Sequence, residues 1–130
     1  MSENHPGSAP PPTVRTVGGH RVVTLRGEID LAAAIPLSAL LDALTSGPRP
    51  DLVLDLRPVS FIDCAGLGVL CRALNRVRAR GGRLQLVTES DHFRRVLRGA
   101  GLGGVFEVRP CLSGALDRAT SASAPSASVG

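Results

Sequence analysis

PVSFIDCAGLGVLC, residues 58–71, decides how the rest of the chain is read. A short apolar segment, Val59–Ile62, gives way at Asp63-Cys64-Ala65 to a run in which Leu67, Leu70, Leu74 and Val77 recur at helical spacing. A strand that hands over to a helix at a carboxylate is the signature of a capped, exposed helix N-terminus. Asp63 is the expected cap, satisfying amide donors that have no partner inside the helix. Gly66 and Gly68 suit tight packing or close backbone approach.

Upstream, Leu52–Leu56 is a nearly continuous apolar run interrupted by Asp55, as expected of a buried central strand. Before it, Asp30 caps LAAAIPLSALLDAL, where Ile35, Leu37, Leu40, Leu41 and Leu44 give an amphipathic spacing. Pro36 disturbs that pattern and sets the expected helix start near residue 34, with proline in the first turn. Val14–Val17 and Arg21–Arg26 flank Gly18-Gly19-His20 and predict a hairpin. Downstream, Gly81-Gly82 ends the central helix and Leu84–Val87 is the next buried strand. Ser90 opens a helix with Phe93, Val96 and Leu97 inward, Val105–Val108 is a last strand, and Cys111–Arg118 a terminal helix. The alternation predicts an α/β domain, a mixed four- to five-stranded sheet with about four helices packed against it.

The 130 residues fit one domain, expected over residues 13–118. Residues 1–12 and 119–130 are rich in Pro, Ser, Gly and Ala with almost no large apolar side chains, and are expected to be disordered tails. Trp and Tyr are absent and only three Phe occur, so the core is aliphatic and stacking platforms for single-stranded nucleic acid are missing. The net charge of +4 comes mostly from arginines, clustered at 72–83 and 94–98 and read as solvated helix faces. No apolar run reaches the length of about 20 residues that a membrane span needs, and no signal core is present, so a cytoplasmic location without direct membrane insertion is expected. Three cysteines without metal-ligand spacing point to reduced thiols and to no metal site.

Two patterns suggest chemistry that their context does not support. Gly99–Gly104 satisfies G-x-G-x-x-G, but it follows a helix and precedes a strand, the reverse of a dinucleotide loop. Glu28 and Asp30 have no nucleophile or histidine beside them, with His20 expected in a turn and His92 on a surface-facing helix start. No enzymatic activity and no cofactor are expected. Cys64 at a helix start is read as a small side chain, the alternative being a redox-sensitive thiol.

Four segments in order resemble the STAS family, the anti-sigma factor antagonist-like domains of bacteria. VVTLRGEIDLAAA looks like its opening strand, Gly-Glu-x-Asp turn and first helix, and LVLDLRPVSFIDCAGLGVL like its central strand and signature loop. GGRLQLV is similar to the following glycine pair and strand, and RVLRGAGLGGVFEV to the closing helix and last strand. The resemblance implies a binding module for an anti-sigma factor of the histidine-kinase-like ATPase, serine-kinase type, with Glu28, Asp30, Asp63, Cys64, Ala65, Gly66 and Leu67 as the partner-binding residues. In the family, phosphorylation of the second serine of an Asp-Ser-Ser-Gly loop abolishes binding; here Cys64 and Ala65 occupy the serine positions. Alanine has no hydroxyl, so no phosphorylation is expected at Ala65. The resemblance also admits a scaffold subunit of a stressosome-like or lipid-transport complex, and a small-ligand sensor.

Overall fold

The computed structural model describes residues 10–116. The elements follow as β1 (Thr13–Val17), β2 (His20–Thr24), β3 (Gly27–Ile29), α1 (Leu31–Leu44), β4 (Asp51–Asp55), β5 (Val59–Ile62), α2 (Cys64–Ala79), β6 (Arg83–Val87), α3 (Asp91–Gly99) and β7 (Glu107–Arg109). Residues 112–116 are helical. The main sheet has the order β1-β2-β4-β6-β7, antiparallel only between β1 and β2. A separate two-stranded parallel sheet joins β3 to β5.

Strand periodicity divides the core between the two faces of the main sheet. Val23, Leu52, Leu54, Leu84 and Leu86 pack with Leu37 and Leu41 of α1, Leu70, Leu74 and Val77 of α2, and Phe93 and Leu97 of α3. The alternate residues Val22, Val53 and Val87 face the other way, onto Leu112, Ala115 and Leu116. Gln85 is buried on this second face and donates from Nε2 to the Ala115 carbonyl at 3.3 Å.

The helices are fastened by the arginines expected to be merely solvated. Arg72 on α2 donates through Nε and a terminal nitrogen to both Asp42 oxygens on α1, at 2.9 and 2.8 Å. Arg76 donates to Thr45 Oγ1 at 2.9 Å and to the Asp42 carbonyl at 3.0 Å. Thr45 is the buried C-cap of α1, so Arg76 closes that helix end while pinning α2 to it. At the end of α2, Gly81 takes φ +68°, and a Cβ on Gly82 would collide with the backbone oxygen of Pro50. Each glycine of that pair therefore has its own steric reason.

Several expectations need correction. Helix α1 starts at Leu31, not near residue 34, because the Asp30 carboxylate accepts from the Ala33 amide at 3.1 Å and the first intrahelical bond runs from Ala34 to the Asp30 carbonyl. Pro36 thus lies in the helix interior, where it cannot donate to Ala32, a loss tolerated because tertiary packing carries the helix. Ile35 is 69% exposed and off the buried stripe of Ala34, Leu37 and Leu41. The hairpin turn is Gly18-Gly19, both with positive φ, which places His20 in β2 rather than in a turn. His20 is buried with Nδ1 2.8 Å from Asp51 Oδ2 on β4. The last strand begins at Glu107, since Phe106 turns into the core. Of the expected terminal helix, residues 112–116 are helical; 117 and 118, like 1–9 and 119–130 of the expected tails, lie outside the described residues.

Candidate functional site

The small sheet builds the site. Strand β3 runs into α1 through Asp30, and β5 runs into α2 through Asp63. Because β3 and β5 pair in parallel, with Ile29 opposite Ile62, they deliver two helix N-termini side by side. The two junctions repeat one geometry. Asp30 and Asp63 both have extended backbones, and each accepts from the amide three residues on: Ala33 at 3.1 Å and Gly66 at 3.0 Å. Their carboxylates meet the positive ends of the helix dipoles. The Asp63 amide donates to the Ile29 carbonyl at 3.3 Å, tying one junction to the other.

Gly66 sets the spacing. A Cβ there would stand 2.6 Å from the Ile29 carbonyl oxygen, 2.6 Å from Ile62 Cγ1 and 2.9 Å from Ile29 Cγ2. Only hydrogen fits, so α2 enters directly against β3. Gly68, two residues on, would meet nothing within 4 Å. The same three-dimensional contact buries Gly66 and Leu67, which shape the loop from beneath. Glu28 and Cys64 are exposed on it, while Asp30, Asp63 and Ala65 are half-buried. Among the described cysteines, Cys64 is exposed while Cys71 and Cys111 are half-buried.

Sequence reasoning missed three exposed apolar side chains on α1 and β5. Leu31 is 65% exposed, Ile35 69% and Phe61 52%, and Phe61 stands opposite Glu28 in the β3–β5 register. Leu31 and Ile35 are one helical turn apart on α1 and share a face. Their signal was available: both fall out of phase with the Leu37 and Leu41 stripe.

Beside β5 a cleft of about 400 Å³ opens toward the start of α3, lined among others by Arg57, Ser60, Thr88, Ser90 and His92. Arg57 grips the buried Asp55 with two bonds of 2.9 and 2.8 Å. Burial pushes the Asp55 carboxyl up, but the side-chain and backbone hydrogen bonds from Arg57 and its charge outweigh burial and hold it below the usual range. Among the described residues no group of His, Cys, Asp or Glu is arranged to hold a metal ion, and no helix is long and apolar enough to cross a membrane.

Fold and site together define a small α/β domain whose distinctive surface is a pair of capped helix N-termini. The family model described as "Mlab, STAS domain" matches residues 13–110, and the chain belongs to the STAS domain family. It is similar to the anti-sigma-F factor antagonist RsfA of Mycobacterium tuberculosis, 33% identical over 98 residues that span 73% of this chain and 76% of that one. With the anti-sigma-B factor antagonist of Bacillus subtilis it shares 33% identity over 86 residues, 66% of this chain and 78% of the relative. The crystal structure of an anti-sigma factor antagonist from Mycobacterium paratuberculosis superposes with a TM-score of 0.77 at 29% identity, covering 89% of this chain and 97% of that one. The mixed five-stranded sheet with helices packed against it is the expected fold.

Proposed function

We propose that this STAS domain is an anti-sigma factor antagonist, a binding module and not an enzyme. It docks an anti-sigma factor of the histidine-kinase-like ATPase, serine-kinase type, and so frees a sigma factor in the cytoplasm. The observation that carries the reading is the β3–β5 pairing, which places Glu28 and Asp30 beside Asp63, Cys64 and Ala65 on one surface. The exposed Phe61, opposite Glu28, and the exposed Leu31 and Ile35 at the start of α1 add apolar area available for burial. A partner complementary to it has apolar side chains with basic groups around them. The antagonist names of the relatives support this role over that of a scaffold subunit.

Ala65 occupies the position where family resemblance places the phosphoacceptor serine, so docking is not released by phosphate at that residue. The test is to mix the full chain with the kinase-type anti-sigma factors of its host and Mg-ATP, then resolve complexes and map phosphopeptides. Complex formation, no phosphate within residues 63–68 of wild type, and labelling of Ala65→Ser are the expected results. Absence of any complex, or phosphate within 63–68 of wild type, counts against the proposal.

A further inference from the structure

Between α1 and the edge strand β1 lies a second concavity, of about 400 Å³, which shares no lining residue with the cleft beside β5. Its volume falls within the range of small-ligand sites, about 300–1,000 Å³. Every described residue that lines it is apolar except Arg26. Val14, Leu25 and Ile29 line it from the strand side. On α1, Ala33, Pro36, Leu37 and Leu40 follow the spacing i, i+3, i+4 and i+7, so one helix face runs along the groove for about 10 Å. Pro10, Pro11 and Pro12 complete the lining.

Two features go beyond what the edge of a core requires. Pro36 deprives the Ala32 carbonyl of its helical donor, and its side chain is exposed, so core packing does not account for a proline there. Its ring instead forms part of the groove wall. With the fixed φ of Pro10, Pro11 and Pro12, two stretches of that wall are rigid before anything binds, which lowers the cost of ordering a complex. The second feature is charge. Arg57, Arg72 and Arg83 are each bound to a carboxylate, whereas the Arg26 guanidinium has no partner among the described residues. An apolar track with a single cation on it is complementary to a chain that carries a single anion.

We infer that the groove binds a free straight-chain amphiphile with one anionic head group, its chain along α1 and its head at Arg26. An extended alkyl chain of about eight bonds covers the length of about 10 Å that the helix face offers, which sets the ligand at roughly eight to ten carbons. The guanidinium can take a carboxylate head through two parallel hydrogen bonds. The single track along α1 holds one chain, so the occupant is a monoacyl anion from solution and not a two-chain lipid in a bilayer. This site stands apart from the docking of an anti-sigma factor and needs no partner protein.

The test titrates the full chain calorimetrically with hexanoate, octanoate and decanoate, with decan-1-ol as the uncharged counterpart, and follows thermal melting in parallel. Saturable binding of one decanoate per chain, a higher melting temperature with ligand, and binding that tightens about twofold to fourfold per added methylene are expected. Arg26→Gln is expected to bind decanoate at least roughly fivefold more weakly while binding decan-1-ol as wild type does. Pro36→Ala separates the groove from the stability of the helix. It restores the donor to Ala32 and melts higher than wild type, yet is expected to bind decanoate at least roughly threefold more weakly. No saturable decanoate binding, uptake of several molecules per chain, or an affinity that neither variant changes overturns the inference. Sedimentation with phosphatidylglycerol vesicles by a protein that does not bind free decanoate overturns it as well, since the surface would then belong to a bilayer.

Discussion

Replacing Gly66 by alanine adds one methyl group where the structure has room for none. The new Cβ would stand 2.6 Å from the Ile29 carbonyl oxygen and 2.6 Å from Ile62 Cγ1. One of these is backbone in the paired small sheet, so relief requires α2 to move off β3. Overpacking of this kind costs about 1–3 kcal/mol. The gain from exchanging glycine for alanine in a helix is about 0.5–1 kcal/mol, which offsets only part of it. With all three contacts under 3.0 Å the cost falls in the upper half of that range, and the net loss of about 1–2.5 kcal/mol corresponds to a melting point lower by about 4–20 °C for a domain near this size. Gly68→Ala is the internal control: its Cβ meets nothing within 4 Å, so only the helix gain of about 0.5–1 kcal/mol remains. Urea unfolding of wild type and both variants reads the pair, with an unchanged m-value showing that the shift is one of stability. Opposite signs for the two glycines are expected. A Gly66→Ala protein as stable as wild type would refute the close approach that places the two helix starts together.

Asp63→Ala is expected to lose about 1 kcal/mol with the cap, whereas Asp63→Asn keeps a capping side chain and nearly all stability; thermal melts separate them, and equal losses would mean that the carboxylate acts otherwise. If Asp63 also meets the partner, Asp63→Asn binds more weakly despite its stability, as read by titration against the anti-sigma factor. For acid stability the sign follows from Asp55, whose folded carboxyl is held below the ordinary value of about 3.9. Its stabilising contribution is present above that value and is lost as pH falls through the folded one. The stability gap between wild type and Asp55→Asn therefore narrows from pH 7 toward pH 3 in urea titrations; a constant gap would contradict the Asp55–Arg57 pairing as its source.

The main sheet was legible because its central strands are buried on both faces and carry apolar runs, and because Leu67, Leu70, Leu74 and Val77 mark α2 by period alone. Asp30, Asp63 and Ser90 were legible as caps since capping depends on neighbours three residues away. What escaped depends on distant partners. The β3–β5 sheet is formed by three- and four-residue segments that the chain brings together across α1 and β4. His20 enters β2 with its ring against Asp51, a partner 31 residues away. Pro36 argued locally for a later helix start, and the Asp30 cap together with burial of Ala34, Leu37 and Leu41 overrode it. At the site, the glycine at position 66 was visible but not the Ile29 carbonyl that requires it. Phe61 stands outward beside Glu28, an orientation that only the register shows.

The most direct measurement is a calorimetric titration of the full chain with the kinase-type anti-sigma factors of its host, alongside Glu28→Arg. Glu28 is exposed and caps no helix, so the charge reversal changes the docking surface without removing a helix cap. The account predicts saturable binding by wild type and at least roughly tenfold weaker binding by Glu28→Arg at unchanged melting temperature. No saturable binding to any of these factors, or equal affinity of the two proteins, would contradict it.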